Sequence, residues 1–307
     1  MSAEPSTSST ATPFRSGFVG LIGKPNVGKS TVLNYYLGRT ISIASPRPQT
    51  TRSRILGILT RADAQVMFVD SPGWHKPQHS LGRYLIAVAK GVLDEADVVV
   101  TVVDVVAGLT KEDAWVFHEV RRLRRPALLA LNKVDLVKKP RVLPVLEQCA
   151  ALKLFEELIP ISALKGDNMA VLLDEVIARL PTGPRWYEAD QVTDQSTTQL
   201  CQELIRERVL HATRQEVPQA VAVMIEELTQ KEGVTVIRAT ILVEREGQKA
   251  IVIGRQGQML KRIGTEARQA LERWLGQKVF LELWVKVAED WRHNPMTLRR
   301  LGYVIPA

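Results

Sequence analysis

Cysteine, aromatic side chains, long apolar runs and an apolar leader are scarce or missing from this 307-residue chain. Each shortage excludes a class of protein. The two cysteines, Cys149 and Cys201, lie far apart and lack metal-ligand spacing. They exclude a disulfide framework and point to a reducing compartment, with the cytoplasm as the default. No apolar run approaches the roughly 20 residues of a membrane-spanning helix. The longest candidate, Val98–Val103, is bounded by Asp97 and Asp104 and reads as a buried strand. Residues 1–13 are rich in Ser and Thr, with no apolar core and no arginine before Arg15. Residues 1–14 therefore read as a disordered tail, not a secretory signal or transit peptide.

Charge is plentiful but not focused. The net charge of +8 suits an acidic partner such as RNA. Residues 1–197 carry 24 basic and 20 acidic side chains, and residues 198–307 carry 17 and 13. Each half is thus +4, and charge alone singles out neither. The cluster Arg121, Arg122, Arg124 and Arg125 reads as a solvated helix end.

Periodicity predicts strands at 18–22, 53–60, 65–70, 97–103, 127–131 and 158–161, alternating with helices at 29–38, 81–94, 111–123, 140–152 and 168–180. That order predicts an α/β domain over 15–181, a mostly parallel sheet with helices on both faces. The pattern breaks at Pro181–Pro184, and the polar stretch that follows marks 182–197 as a linker. Residues 198–307 read as an α+β domain with a C-terminal tail. Its expected elements are a helix at 198–213, strands at 219–227, 234–244 and 249–253, a helix through Leu275, and a strand at 278–287.

The chemistry starts at Gly23-Lys24-Pro25-Asn26-Val27-Gly28-Lys29-Ser30, a phosphate-binding loop G-x-x-x-x-G-K-[ST] between a strand and a helix that opens with Thr31. Its backbone N–H groups and the helix N-terminus cradle phosphates. Lys29 reaches the β- and γ-phosphates, and the Ser30 hydroxyl can ligate Mg²⁺. Asp70-Ser71-Pro72-Gly73 ends a strand, so Asp70 can hold Mg²⁺ through water and the Gly73 N–H can sense the γ-phosphate. Gln49-Thr50-Thr51-Arg52 lies where a switch segment supplies a hydroxyl to Mg²⁺, from either Thr50 or Thr51. Lys29, Ser30, Thr50, Thr51, Asp70 and Gly73 are the candidate catalytic set.

Asn132-Lys133-Val134-Asp135 reads the base. The Asp135 carboxylate can accept the N1–H and 2-amino hydrogens of guanine, which adenine cannot offer. The Lys133 stem can lie over the base, and Asn132 can tie this loop to the phosphate loop. A backbone N–H of Ser162-Ala163 can meet the guanine O6. Trp74 follows Gly73, and an indole can neither position nor deprotonate the attacking water.

In the second domain, an expected strand ending at Ile253 runs into Gly254-Arg255-Gln256-Gly257, followed by a helix bearing Lys261 and Arg262. This G-x-x-G is the loop by which KH domains clamp single-stranded RNA. Strands first and the loop late predict the type II topology. An apolar groove of Ile251, Ile253 and Ile263 is expected to receive the bases.

The five nucleotide motifs, in this order, resemble the translation-factor class of GTPases. The phosphate loop and Thr50-Thr51-Arg52 narrow the resemblance to the TrmE–Era branch, in which the residue after Asp-x-x-Gly is apolar, as Trp74 is. Ser71 stands where members often have Thr, which keeps a hydroxyl. With the KH-like domain, the resemblance is to the Era family and runs from about Phe18 to Tyr303. It includes Pro181–Pro184, Thr193-Asp194, Glu203–Glu207, Ile253–Gly264 and Leu301–Tyr303.

The resemblance implies a GTP-hydrolysing switch with slow intrinsic turnover that a partner speeds. Its KH domain binds small-subunit ribosomal RNA near the 3′ end, in maturation of the small ribosomal subunit. It further implies K⁺ bound through Asn26, a monomer, and peripheral association with the membrane. A TrmE-like tRNA-directed enzyme would need a cysteine near the C-terminus, whereas the last cysteine is Cys201. An RNA-binding protein with a dead nucleotide site would not keep Lys29, Ser30, Asp70 and Asp135.

Overall fold

A computed structural model describes residues 13–43, 50–77, 79–214 and 217–303. The expected tail up to residue 12, Gln49 and residues 304–307 lie outside them.

The first domain runs β1 (Arg15–Ile22), α1 (Lys29–Leu37), β2 (Ile55–Thr60), β3 (Ala64–Asp70), α2 (Ser80–Glu95), β4 (Val98–Asp104), α3 (Lys111–Arg122), β5 (Ala127–Asn132), α4 (Val142–Ala151), β6 (Glu157–Pro160) and α5 (Met169–Arg179). The strands form one sheet in the order β2-β3-β1-β4-β5-β6, parallel except for the antiparallel β2–β3 pair. β1, β3, β4 and β5 are apolar along nearly their whole length because both faces are covered. Val32 and Leu33 of α1 pack with Leu172 and Val176 of α5 on one side. Ala89 and Leu93 of α2, Val116 and Val120 of α3, and Cys149 of α4 pack on the other. Two helix starts are capped by side chains: Thr110 and Asp113 form a capping box at α3, and His79 Nδ1 accepts from the Gly82 N–H at α2.

The linker is ordered against the sheet. The Ile58 N–H donates to the Val192 carbonyl (2.9 Å), and the Thr193 hydroxyl donates to the Leu56 carbonyl (2.7 Å). The linker thus covers the outer edge of β2.

The second domain runs α6 (Thr197–Ala212), α7 (Val217–Ala220), β7 (Ala222–Lys231), β8 (Val234–Val243), α8 (Glu246–Ile253), α9 (Gln258–Leu275), β9 (Lys278–Val287) and α10 (Pro295–Arg300). β7 and β8 are antiparallel, and β8 and β9 are parallel. One expectation fails here: residues 249–253 form the end of α8, not a strand. The short run Ala250–Ile253 is apolar and rich in β-branched residues, which suits either state. The helix wins because Gln248 Oε1 accepts from the Glu244 and Arg245 N–H groups (2.9 and 3.2 Å) and caps it. Burial then follows an i, i+4 period, with Gln248 and Val252 inside and Ile251 out. Cys201 lies in this domain's own core, remote from Cys149.

The domains meet along α2. Leu81, Tyr84, Leu85 and Val88 pack against Trp291, Leu298, Leu301 and Tyr303 of the C-terminal segment. Because α2 follows closely on Asp70–Trp74, the chain after β3 leads into this contact.

Candidate functional site

The phosphate loop leaves the C-terminal end of β1 at the middle of the sheet, where open α/β folds bind ligands. Asn26 and Gly28 take positive φ (65° and 104°). A Cβ on Gly28 would sit 2.2 Å from Asn132 Nδ2, so only glycine lets Asn132 approach. Asn132 Nδ2 donates to the Val27 carbonyl (2.8 Å), and its Oδ1 accepts from the Ala163 N–H (3.0 Å). One side chain thus joins the phosphate loop, the Asn132–Asp135 loop and the Ser162-Ala163 loop. Lys133 Nζ donates to the Asn26 carbonyl (2.8 Å) and to Asp104 Oδ2 (2.6 Å), so its stem spans the same gap. Asp135 is exposed on the single turn Val134–Leu136. The Ser162 hydroxyl accepts from the Lys165 N–H (3.1 Å) and shapes its own loop.

Lys24 contributes only its backbone to the loop. Its buried ammonium donates to Asp113 Oδ2 (2.6 Å) and Thr110 Oγ1 (3.2 Å) on the α3 side. Pro25 lies so close to Gly73 that a Cβ there would sit 2.6 Å from the Pro25 Cα. Ser71 donates to the Leu21 carbonyl (2.8 Å), so its hydroxyl braces β1 and turns from the site. Thr31 is half-buried in the first turn of α1.

Lys29 is buried and donates to the Gly23 and Lys24 carbonyls (3.1 and 3.0 Å). Burial pushes its ammonium down to about 8, against the opposing pull of Asp70. A phosphate in the loop keeps Lys29 protonated, so binding takes up a proton above that value. Affinity for GTP is therefore expected to be level below about pH 8 and to fall above it, approaching tenfold per pH unit. Equilibrium titrations across that range check this; a flat profile well above pH 8 would show that Lys29 stays charged.

The centre of the site is Asp70, wholly buried at the end of β3. Its Oδ2 accepts from Ser30 (2.7 Å), Ser42 (2.7 Å) and Thr51 (3.3 Å), and the Ser30 and Thr51 hydroxyls lie 3.1 Å apart. Asp70 Oδ1 is buried with no hydrogen-bond partner among the described residues. Burial raises the carboxyl's pKa, while Lys29 and the three hydroxyls pull it down. A hard-oxygen cluster with one unused carboxylate oxygen fits Mg²⁺. The structure also separates the two threonines: the Thr51 hydroxyl joins the cluster, while the Thr50 carbonyl accepts from Arg206 Nη2.

Trp74 is fully buried, edge-on to Trp115 with centroids 5.3 Å apart, and its backbone N–H donates to the Gly23 carbonyl (3.1 Å). Its ring packs in the core with Ile22 and Val103.

Two buried arginines tie the switch segment to the second domain. Arg52 donates to the Val221 (2.7 Å) and Gln219 (3.0 Å) carbonyls and lies over the Trp291 ring (5.5 Å). Arg206 of α6 pairs with Glu203 (2.5 Å) while it holds Thr50.

In the second domain, Gly254 links α8 to the turn at φ 73°, ψ 175°, a region essentially reserved for glycine. Arg255, Gln256, Lys261 and Arg262 are exposed around it. The adjoining groove, about 430 Å³, is lined by Gly257, Leu260, Gly264, Arg268, Leu281 and Leu283 among others. The expected lining of Ile251, Ile253 and Ile263 is therefore corrected. Ile263 is buried in the core, Ile251 is exposed on α8, and neither Ile251 nor Ile253 lines this groove.

Ser42, Arg206 and the β9 groove residues were not found from sequence. Asn34 was the available signal for Ser42: one turn after Ser30, it binds the Ile41 and Ser42 N–H groups (3.0 and 3.1 Å). A glycine inside α9, Gly264, was the signal for the groove.

Residues 18–133 match the 50S ribosome-binding GTPase family, and residues 216–292 match the KH domain family. The chain is 43% identical over 294 residues to GTPase Era of Staphylococcus haemolyticus, covering 95% of this chain and 98% of that one. It is 40% identical to a single-substitution variant of Aquifex aeolicus Era crystallised with GDP and AlF₄⁻, with a TM-score of 0.92 over 95% of this chain and 100% of that one. It is also 40% identical to Era in complex with MgGDPNP and nucleotides 1506–1542 of 16S ribosomal RNA, with a TM-score of 0.93 over 95% and 99%.

Proposed function

Because the chain belongs to the Era family of GTPases, and is thus a GTP hydrolase that works with Mg²⁺, we propose that it couples GTP hydrolysis to the binding of small-subunit ribosomal RNA near its 3′ end, in maturation of the small ribosomal subunit. The nucleotide domain is taken as 15–181, the linker as 182–197 and the RNA-binding domain as 198–307. The phosphates lie on Gly23–Thr31, the γ-phosphate end on Asp70–Trp74, and the guanine on Asn132–Asp135 with Ser162 and Ala163. Ser30, Asp70 and Thr51 would hold Mg²⁺, which would supply positive charge beside the phosphates. Lys29 neutralises phosphate charge in a dry loop. With Trp74 buried, no side chain after Gly73 acts as the water's base, and turnover of the isolated protein is slow. Asn26 takes a K⁺ ion at the loop tip, a role carried by the family resemblance; equal hydrolysis rates in K⁺ and Na⁺ buffers would remove it. Cytoplasmic residence rests on the sparse cysteines and peripheral membrane contact on that resemblance, and the protein is taken as a monomer. Among the described residues, no helix is long and apolar enough to cross a membrane.

The observation that carries the coupling is the Arg206–Thr50 bond, because Thr50 adjoins Thr51 of the Mg²⁺ cluster while Arg206 belongs to α6. Nucleotide-driven movement of the segment must alter the domain contact, and RNA must in turn alter nucleotide affinity by the same factor. In filter binding, RNA affinity with a GTP analogue and with GDP is expected to differ by roughly 5–150-fold, the usual span of coupling. Arg206→Lys keeps the charge, loses the fork and should bring that ratio toward one. Identical RNA affinity in both nucleotide states would end the coupling proposal.

A further inference from the structure

Away from both sites, a cleft of about 190 Å³ lies where the domains meet, lined by Arg39 and Thr40 of the nucleotide domain and by Arg208, Arg273 and Trp274 of the other. Three guanidinium groups thus share one small cleft. Arg208 pairs with Glu207 (2.8 Å), and among the described residues Arg39 and Arg273 have no carboxylate partner. Arg208 Nε and Trp274 Nε1, on two of the lining residues, are enclosed by protein and have no hydrogen-bond partner among the described residues. The cleft itself is lined by three cationic side chains with Glu207 as their one carboxylate partner among the described residues, so an anion from outside the chain would balance its charge. Trp274 also packs against the apolar clusters of both domains, which fixes its indole at the junction.

We propose that this cleft binds one phosphate group. Guanidinium forks match phosphate oxygens in geometry and charge. The volume is below the roughly 300–1,000 Å³ of pockets that take whole small ligands. The group is a backbone phosphate of bound RNA or a free phosphate. α9 joins the two places: Arg268 lines the groove, and Arg273 lies five residues on, about 7.5 Å along the helix and about 140° around it, so RNA passing from groove to cleft would cross the flank of α9. This RNA arm rests on the function proposed above; the free-phosphate arm does not. Seated there, the phosphate would bridge Arg39 to Arg208 and Arg273 and draw the domains together.

The test uses the full chain. Inorganic phosphate is titrated at constant ionic strength while the Trp274 indole N–H signal, assigned from its loss in Trp274→Phe, is followed by NMR. A saturable shift that weakens about tenfold in Arg273→Gln is expected, as for loss of a charge-assisted contact. In parallel, binding of a 3′ small-subunit RNA fragment is measured against salt for Arg39→Gln and Arg273→Gln. Both residues are exposed, so the fold is retained. A lower affinity with the salt slope reduced by about 0.7 identifies the RNA backbone as the source. A phosphate-induced shift with unchanged RNA binding identifies free phosphate. No indole shift together with unchanged RNA affinity and slope overturns the proposal. Failure of the unaltered protein to bind RNA would instead sink the RNA function and leave the phosphate arm standing.

Discussion

Asp70→Asn is expected to lower GTP hydrolysis by about a hundredfold to a thousandfold, with little change in the stability of the nucleotide-free protein. The loss in rate is the size seen when one electrostatic stabiliser of a transition state is removed. The amide removes the negative charge that the carboxylate brings to its cluster with the Ser30, Ser42 and Thr51 hydroxyls. Stability behaves differently because burial already disfavours the charged carboxylate, so its pKa stands above the ordinary value. Removing that charge relieves the burial penalty, while Lys29 loses an attractive neighbour. These effects oppose, and a net change within about 1 kcal/mol is expected. Thermal melts with and without Mg²⁺ and GDP separate the roles: the unaltered protein gains from ligand as binding to the folded state requires, and the variant does not. A variant that hydrolyses GTP at the parent rate would show that Asp70 is a structural strand end.

Asp135→Asn is expected to invert base preference from GTP to xanthosine triphosphate. The carboxylate accepts two donors on guanine, N1–H and the 2-amino group. An amide offers one acceptor and one donor, which suits xanthine's N1–H and C2 carbonyl and opposes a donor to guanine's amino group. A site built to pair hydrogen-bonding groups rejects a mismatched partner by about 10⁴–10⁵-fold, so the ratio of affinities should swing by several orders of magnitude. Asp135 is exposed on a one-turn helix, so folding should not confuse the result. Competition between the two nucleotides gives the ratio directly. An unchanged GTP preference would place guanine recognition elsewhere.

The nucleotide domain is legible in the sequence because its signals are local. A strand, a phosphate loop and a helix are neighbours in the chain, and the sheet's apolar runs are uninterrupted. What stayed hidden depends on contacts between distant segments. Ala250–Ile253 reads as a strand on its own, and only the Gln248 cap and the core around Val252 make it a helix. Thr50 and Thr51 are indistinguishable as neighbours in sequence, whereas in the fold the Thr51 hydroxyl bonds Asp70 and the Thr50 carbonyl accepts from Arg206, 156 positions away. Ile263 looks like groove lining until α9 turns it inward and leaves Leu260 and Arg268 to face Leu281 and Leu283. Trp74 follows Gly73 in its motif, but its burial against Trp115 depends on a helix that the motif does not contain.

The course of the linker has a consequence for dissecting the protein. By bonding to Leu56 and Ile58, residues 192 and 193 act as a partial extra strand on β2. A fragment cut at residue 181 would keep every nucleotide-binding residue yet lay bare an unpaired strand edge, a template for chain-to-chain aggregation. A fragment extended through Gln195 would keep that edge dressed. The practical limit of the catalytic unit is therefore set by where its sheet is sealed, some way beyond its last helix.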